Sequence, residues 1–287
     1  MNPSPDPTAL PTARAAAERA ARAAGVTIRE LHDLDTLAEA GALLDQVWPP
    51  TTPGGTMITP ELLLVLAHSG SYVAGVHQDD RLIGTCLGLL ATVGLHSHVA
   101  AVEGGTRGRS IGYAVKLHQR AWALERSIAT ITWTYDPLVS RNAYFNLAKL
   151  GALPAEYLAD FYGPMQDEVN AGDASDRLLV RWELAAERVE LACAGRPHTI
   201  EPDGLRSRAV VALDMDERGR PTAGRPDGDT LLVRVPPDIE ALRRRDPRAA
   251  RDWRHALREV LAGLLAERCA VTGFARDGWY LVERPES

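Results

Sequence analysis

The sequence predicts an α/β fold in which helices flank a mixed central sheet, followed by a smaller C-terminal α+β region. Three observations predict it. The chain has 287 residues, 45% of them hydrophobic, which is enough for a sizeable core. Strand patterns first form hairpins and then alternate with helix patterns, as in a mixed sheet. After residue 187 the composition shifts to Gly, Pro, Asp and Arg. The predicted organisation is a disordered leader and helix over 1–25, the main domain over 26–186 and the α+β extension over 187–287.

The elements of the main domain follow from the spacing of the apolar residues and from helix-start residues. Asp79-Asp80 predicts a hairpin turn between two strands. In chain order we expect strand 26–31, helix 34–47, a short helix from Pro60, strands 71–77, 82–91 and 96–102, helix 110–126, strand 128–135, helix 140–149 and strand 178–184.

In the C-terminal region, strands are expected at 209–213 and 230–235, an amphipathic helix at 250–266 and a hairpin around Asp277-Gly278. Basic residues cluster around this helix. We interpret them as a solvated helix face, because acidic residues lie among them and the whole chain is acidic. They are Arg243, Arg244, Arg245, Arg248, Arg251, Arg254 and Arg258.

Charge and cysteine usage exclude several classes of protein. The net charge of −6 gives no reason to expect a nucleic-acid or membrane partner. The longest apolar stretch, 84–95, is too short to cross a bilayer. Cys86, Cys193 and Cys269 stand far apart in sequence and outside any metal-binding spacing, so we expect no disulfide framework and no metal. A cytoplasmic location is the simplest expectation.

A strand, a glycine- and arginine-rich turn and a helix follow one another between Glu103 and Gly112. The first amides of a helix have no intrahelical partner and attract anions. Gly108 allows close approach of a phosphate, and Arg107 and Arg109 offer charge-assisted hydrogen bonds. The stretch therefore indicates a pyrophosphate site.

This stretch resembles the cofactor signature of the GNAT superfamily of acyltransferases, Arg/Gln-x-x-Gly-x-Gly/Ala, with Arg107, Ser110 and Gly112 at the matching positions. Residues 128–135 look like that family's fifth strand, and 140–152 like its fourth helix. The resemblance covers roughly residues 26–184 and is strongest to an uncharacterised bacterial branch of predicted acetyltransferases.

The resemblance implies a function and a set of site residues. The function would be transfer of an acyl group, in the first instance acetyl from acetyl-CoA, to a small-molecule amine within a ternary complex. Val102 and Glu103 would lie where the strand backbone polarises the acyl carbonyl, and Asn142 would contact the cofactor arm. A homodimer is compatible with this function. The amides expected to hold the pyrophosphate are those of Arg107, Gly108, Arg109, Ser110, Ile111 and Gly112.

The sequence departs from the family pattern at two positions. Ser110 replaces a glycine, and we expect it to fit only with a negative φ. Leu147 stands where such families often carry a tyrosine acid, and Tyr144 is the candidate substitute one turn earlier. Both departures keep open a non-catalytic acyl-CoA-binding module, or other acyl-CoA chemistry such as decarboxylation or acylation of a hydroxyl.

Five side chains are candidate catalytic groups. His98 could deprotonate the amine because histidine side chains ordinarily titrate near neutrality, with His96 a weaker candidate. Asp136 could orient or deprotonate the amine, and Glu103 could act beside the acyl group. Tyr144 is the candidate acid. The histidines, Glu103 and Asp136 have structural alternatives. The histidines could lie on a solvated strand face or be hydrogen-bonded in the core, Glu103 could face solvent, and Asp136 could belong to a turn before Pro137.

Overall fold

The computed structural model describes residues 9–50, 54–105, 109–163, 173–201, 204 and 209–285. The chain forms two compact units. The first comprises residues 1–133 and 183–193, and the second comprises residues 134–182 and 194–287. The chain passes from one unit to the other after Trp133, after Trp182 and after Cys193.

The helices among the described residues are α1 (Ala9–Ala24), α2 (Leu34–Val47), α3 (Pro60–His68), α4 (Ile111–Glu125), α5 (Ser140–Ala143), α6 (Glu187–Cys193), α7 (Ile239–Arg245), α8 (Pro247–Leu257) and α9 (Gly263–Ala266). Two π-helical segments, Tyr144–Lys149 and Arg258–Ala262, continue α5 and join α8 to α9. The strands are β1 (Thr27–Glu30), β2 (Tyr72–Gln78), β3 (Arg81–Leu90), β4 (Leu95–Val102), β5 (Thr130–Tyr135), β6 (Leu153–Leu158), β7 (Arg177–Glu183), β8 (Val210–Met215), β9 (Pro221–Ala223), β10 (Thr230–Arg234), β11 (Ala270–Ala275) and β12 (Trp279–Glu283).

The larger sheet has the strand order β1-β2-β3-β4-β5-β7-β6. In the first unit β1 to β4 pair antiparallel, whereas β4 and β5 pair parallel. The β2–β3 hairpin turns at Asp79 and Asp80, both with positive φ, which aspartate tolerates better than most residues. Because β4 and β5 are parallel, a crossover helix must join them, and α4 serves this role.

Two helical layers bury the sheet of the first unit. Apolar residues of α2 and α3, among them Leu37 and Leu63, pack with Val73 and Leu87 of the sheet. A separate helix pair, α1 and α4, packs together, and α1 buries its alanine-rich face. Close helix packing is favoured because alanine side chains are short.

The second unit contains the β6–β7 hairpin and a five-stranded sheet of order β11-β12-β10-β8-β9. Its sheet buries an apolar cluster that includes Ile200, Leu232, Trp279 and Leu281. The β11–β12 hairpin turns at Gly278 with φ of 96°, a conformation that favours glycine.

The predicted fold class is confirmed: helices flank a mixed sheet, and a smaller C-terminal region with helices and its own sheet follows. Helix α2 begins and ends as predicted, and the other predicted elements occur within a few residues of their expected bounds. Strands β6 and β9 and helices α6 and α7 were not predicted. No helix in the described ranges is long and apolar enough to cross a membrane.

Candidate functional site

Helix α4 begins without a side-chain cap. Its N-cap residue, Ser110, has φ of 59° and ψ of 23°, and its hydroxyl makes no capping hydrogen bond. The expectation of a negative φ is wrong: the serine adopts the left-handed conformation that a glycine would adopt. The first amide to bond back to the Ser110 carbonyl is that of Tyr113. Within the described residues, the amides of Ile111 and Gly112 therefore have no partner, and the positive end of the helix dipole is open.

The rest of the predicted phosphate turn is described in part. Arg107 and Gly108 lie outside the described residues. The guanidinium of Arg109 donates to Gln78 Oε1 at 2.7 Å and to the Ala24 carbonyl at 3.0 Å. This side chain anchors the turn to its own unit, so the expected charge-assisted contact of Arg109 with phosphate is not supported.

Strands β4 and β5 part after a short pairing. The register pairs Leu95 with Ile131 and His96 with Thr132, although β4 continues to Val102. On its other edge β4 has a bulge, because the register with β3 passes from Ser97 to Val99 and skips His98. Beyond His96, therefore, the edge of β4 that faces β5 has backbone groups that β5 does not pair.

The two histidines of β4 have different surroundings. His96 is half-buried, and its Nδ1 lies 3.1 Å from Thr132 Oγ1. Burial, with the nearby charges of His98 and Lys116, lowers the pKa of His96. His98 is exposed, and its ring lies 6.4 Å from that of His96. In the described ranges no group of three or more His, Cys, Asp or Glu side chains could hold a metal ion.

Glu103 is bound at both its backbone and its side chain. Its amide donates to the Ile83 carbonyl at 2.9 Å, and its carboxylate accepts two hydrogen bonds from Arg81 at 2.7 and 2.6 Å. The hydrogen bonds from Arg81 outweigh desolvation and lower the pKa of Glu103. The amide of Glu103 is therefore not free for an acyl carbonyl, and its carboxylate is a poor base. Val102 is half-buried at the end of β4.

Lys116 was not predicted to be a site residue. It is 8% exposed on α4, and its ammonium contacts Ser97 and the Trp133 ring. A sequence signal existed: Lys116 and Lys149 are the only lysines in a chain whose other basic residues are arginines.

In the second unit, Asp136 belongs to a buried ionic cluster with Asp173, Arg243 and Arg254. It accepts hydrogen bonds from Arg243 at 2.6 Å and from Arg254 at 2.9 and 2.8 Å. Burial alone raises the pKa of Asp136, but the two arginines outweigh it and lower the pKa to about 2. The predicted role of Asp136 as a base is therefore wrong, because its carboxylate is already paired twice.

The same cluster corrects the interpretation of the basic residues as a solvated face. Arg243 and Arg254 are 2% and 1% exposed, and both also contact Asp173. Arg258 pairs with Asp176. Helices α7 and α8 thus use arginines on their inner side to bind carboxylates within the second unit.

The other candidates of the second unit lie on one helix. Asn142 is half-buried on α5, and Tyr144 begins the π-helical segment, with the Arg276 guanidinium 5.5 Å from the centre of its ring. Leu147 is fully buried. A tyrosine at that position would have no route to solvent, so its replacement by leucine fits the packing. The roles of Asn142 and Tyr144 stay predictions.

Comparison with known proteins gives structural neighbours alone. No family model and no curated protein matches the sequence. Solved acetyltransferases, GNAT-family proteins among them, are similar to just over half of the chain. The ribosomal-protein-S18-alanine N-acetyltransferase from Escherichia coli has TM-score 0.46 and 14% identity, covering 56% of this chain and 95% of that one. The aminoglycoside 6'-acetyltransferase type Ii has TM-score 0.44 and 17% identity, covering 56% and 99%.

A third similar structure is yncA from Salmonella typhimurium, solved with its cofactor acetyl-CoA. Its TM-score is 0.46 and its identity 13%, covering 56% of this chain and 94% of that one. Likenesses at this level identify neither an activity nor a substrate.

Proposed function

We propose that the chain is an acyl-CoA-dependent N-acyltransferase of the GNAT type that acylates a small-molecule amine. The observation that carries the proposal is the end of the pairing between β4 and β5 after His96 and Thr132, although β4 continues to Val102. It leaves an unpaired strand edge beside which a thioester could lie, and the chain runs from that strand to the uncapped start of α4. The open amides of Ile111 and Gly112 would receive the coenzyme A pyrophosphate.

The residues of β4 would carry the chemistry. Backbone groups on the free edge of β4 would polarise the thioester carbonyl, as an oxyanion hole does. His98, exposed at the bulge, would take a proton from the substrate ammonium, directly or through water, so that the neutral amine can attack. The new C–N bond forms as the C–S bond breaks; the nitrogen loses its second proton to solvent, and the departing coenzyme A thiolate takes up a proton.

A second candidate function is an acyl-CoA-binding module without turnover. The buried Leu147, the occupied amide of Glu103 and the arginine-paired Asp136 favour it, because each removes a group expected to catalyse. Cofactor binding is common to both functions, so turnover alone separates them.

The test is a free-thiol release assay over a broad panel of small amines, with acetyl-CoA and longer acyl-CoA donors. Binding of coenzyme A is measured in parallel by calorimetry. An amine-dependent release of thiol, with the acylated amine identified by mass spectrometry, supports the transferase. Tight binding without release across the panel supports the module, and no binding of any coenzyme A species contradicts both.

A further inference from the structure

Lys116 is a buried cation whose contacts with the described residues are all with neutral groups. Its Nζ donates to Ser97 Oγ at 2.8 Å and to Gln119 Oε1 at 3.3 Å, and lies 3.9 Å from the centre of the Trp133 ring. Gln119 in turn lies 3.7 Å from the Cys86 sulfur. These contacts give the ammonium two hydrogen-bond acceptors and an aromatic face, but no negative charge.

No carboxylate among the described residues pairs with Lys116. The three other described cations that are nearly fully buried all have carboxylate partners: Arg243 and Arg254 each contact both Asp136 and Asp173, and Arg120 lies 3.9 Å from Glu190. Burial lowers the pKa of Lys116 to about 8, with Cys86 acting in the opposite direction. At pH 7 the side chain is therefore still mostly protonated. Buried charges are normally paired, because desolvation of an isolated charge is costly.

The ammonium lies where β4 and β5 part. The last pair of the two strands joins His96 with Thr132, and Lys116 contacts Ser97 and Trp133, the next residue of each strand. Under the proposed function, an acyl chain entering between these strands would end beside this ammonium.

We propose that Lys116 determines acyl specificity, and that the preferred donor is a coenzyme A thioester of a dicarboxylic acid, such as malonyl-CoA or succinyl-CoA. This inference rests on the proposed function. The terminal carboxylate would become the counter-ion that the ammonium lacks, through a charge-assisted hydrogen bond in a site shielded from water. An apolar acyl chain of the same shape would leave the charge unpaired and displace its remaining hydration.

The first test compares ligands of the same shape. Calorimetry measures the affinity for malonyl-CoA and succinyl-CoA and for their apolar isosteres, isovaleryl-CoA and 4-methylvaleryl-CoA. We expect at least one dicarboxylic thioester to bind about tenfold or more tightly than its isostere. Lys116→Met should remove or reverse that preference. The control is Lys149→Met. Lys149 is the only other lysine of the chain and is exposed, so this variant should keep the preference for the dicarboxylic thioester.

The second test uses the unaltered side chain and needs no turnover. With two lysines in the chain, lysine-specific 13C and 15N labelling gives two side-chain signals, which Lys149→Arg assigns. The pKa of Lys116 should rise when the dicarboxylic thioester saturates the protein and should not rise with the isostere. Equal affinities and equal pKa values for bound isosteres would overturn the inference and leave the proposed function standing. Failure to bind any coenzyme A species would overturn both.

Discussion

Ser110 holds a positive φ at the start of α4 without gaining a capping hydrogen bond. A left-handed conformation costs an L-residue about 1 kcal/mol, and glycine avoids that cost. We expect Ser110→Gly to raise the free energy of unfolding by up to about 1 kcal/mol. Ser110→Val should lower it, because β-branched side chains tolerate positive φ poorly. Urea denaturation measures both, and a Val variant as stable as the Gly variant would contradict the assigned backbone.

For individual residues, the sequence indicated which side chains belong to the phosphate turn and to the candidate site, but not which partners surround them. The arginines and glycines of the phosphate turn were predicted from the sequence. The hydrogen bond from Arg109 to Gln78 was not, because Gln78 lies at the end of β2, 31 residues away in the chain. The prediction that Asp136 acts as a base missed its ion pairs for the same reason, because the two arginine partners lie 107 and 118 residues away in sequence.

Strand β4 carries the candidate base, and its bulge sets His98 outside the ladder with β3. If His98 deprotonates the amine, His98→Ala should lower kcat/KM by about 10²-fold while the Kd for coenzyme A stays unchanged. The matched control is His68→Ala, at an exposed position at the end of α3. A pH–rate profile that is the same in His98→Ala and the unaltered protein would assign this histidine a structural role.

The elements themselves were largely predictable because their apolar spacing is local information. The bulge in β4 and its early parting from β5 were not, because register depends on the neighbouring strand and cannot be read from one segment. Strand β6 was missed as well: several of its residues are exposed, so it lacks the apolar alternation of a buried strand.

Across the whole molecule, the stability of the second unit depends on the carboxylates of its ionic cluster. The pKa of Asp136, lowered to about 2, lies below the value of about 3.9 for an unfolded chain. Its contribution is therefore present above about pH 4 and is lost as the pH falls from there toward 2.

Asp136→Asn should accordingly lower the free energy of unfolding at pH 7 by about 3 kcal/mol or more, because it leaves two buried arginines with one carboxylate. The variant should also lose less stability than the unaltered protein between pH 4 and pH 2. Urea titrations at several pH values measure both effects, with Asp277→Asn in an exposed turn as the control. Equal effects of the two substitutions would show that the cluster contributes little.

Binding of coenzyme A at the open start of α4 is tested most directly at Gly112. This residue is exposed, and a Cβ added to it meets no atom within 4 Å. Gly112→Asp and Gly112→Asn have the same shape and differ in charge. Aspartate near a helix start is neutral or stabilising for the fold, so a loss of binding could not be ascribed to unfolding.

Calorimetric titration of coenzyme A into the two variants is the deciding measurement. We expect the aspartate variant to bind about tenfold more weakly than the asparagine variant, because its carboxylate repels the pyrophosphate. The difference in affinity between the two variants should become smaller as salt is added, because salt screens the repulsion between the carboxylate and the pyrophosphate. Equal affinities of the two variants at low salt, with binding intact, would contradict coenzyme A binding at the start of α4.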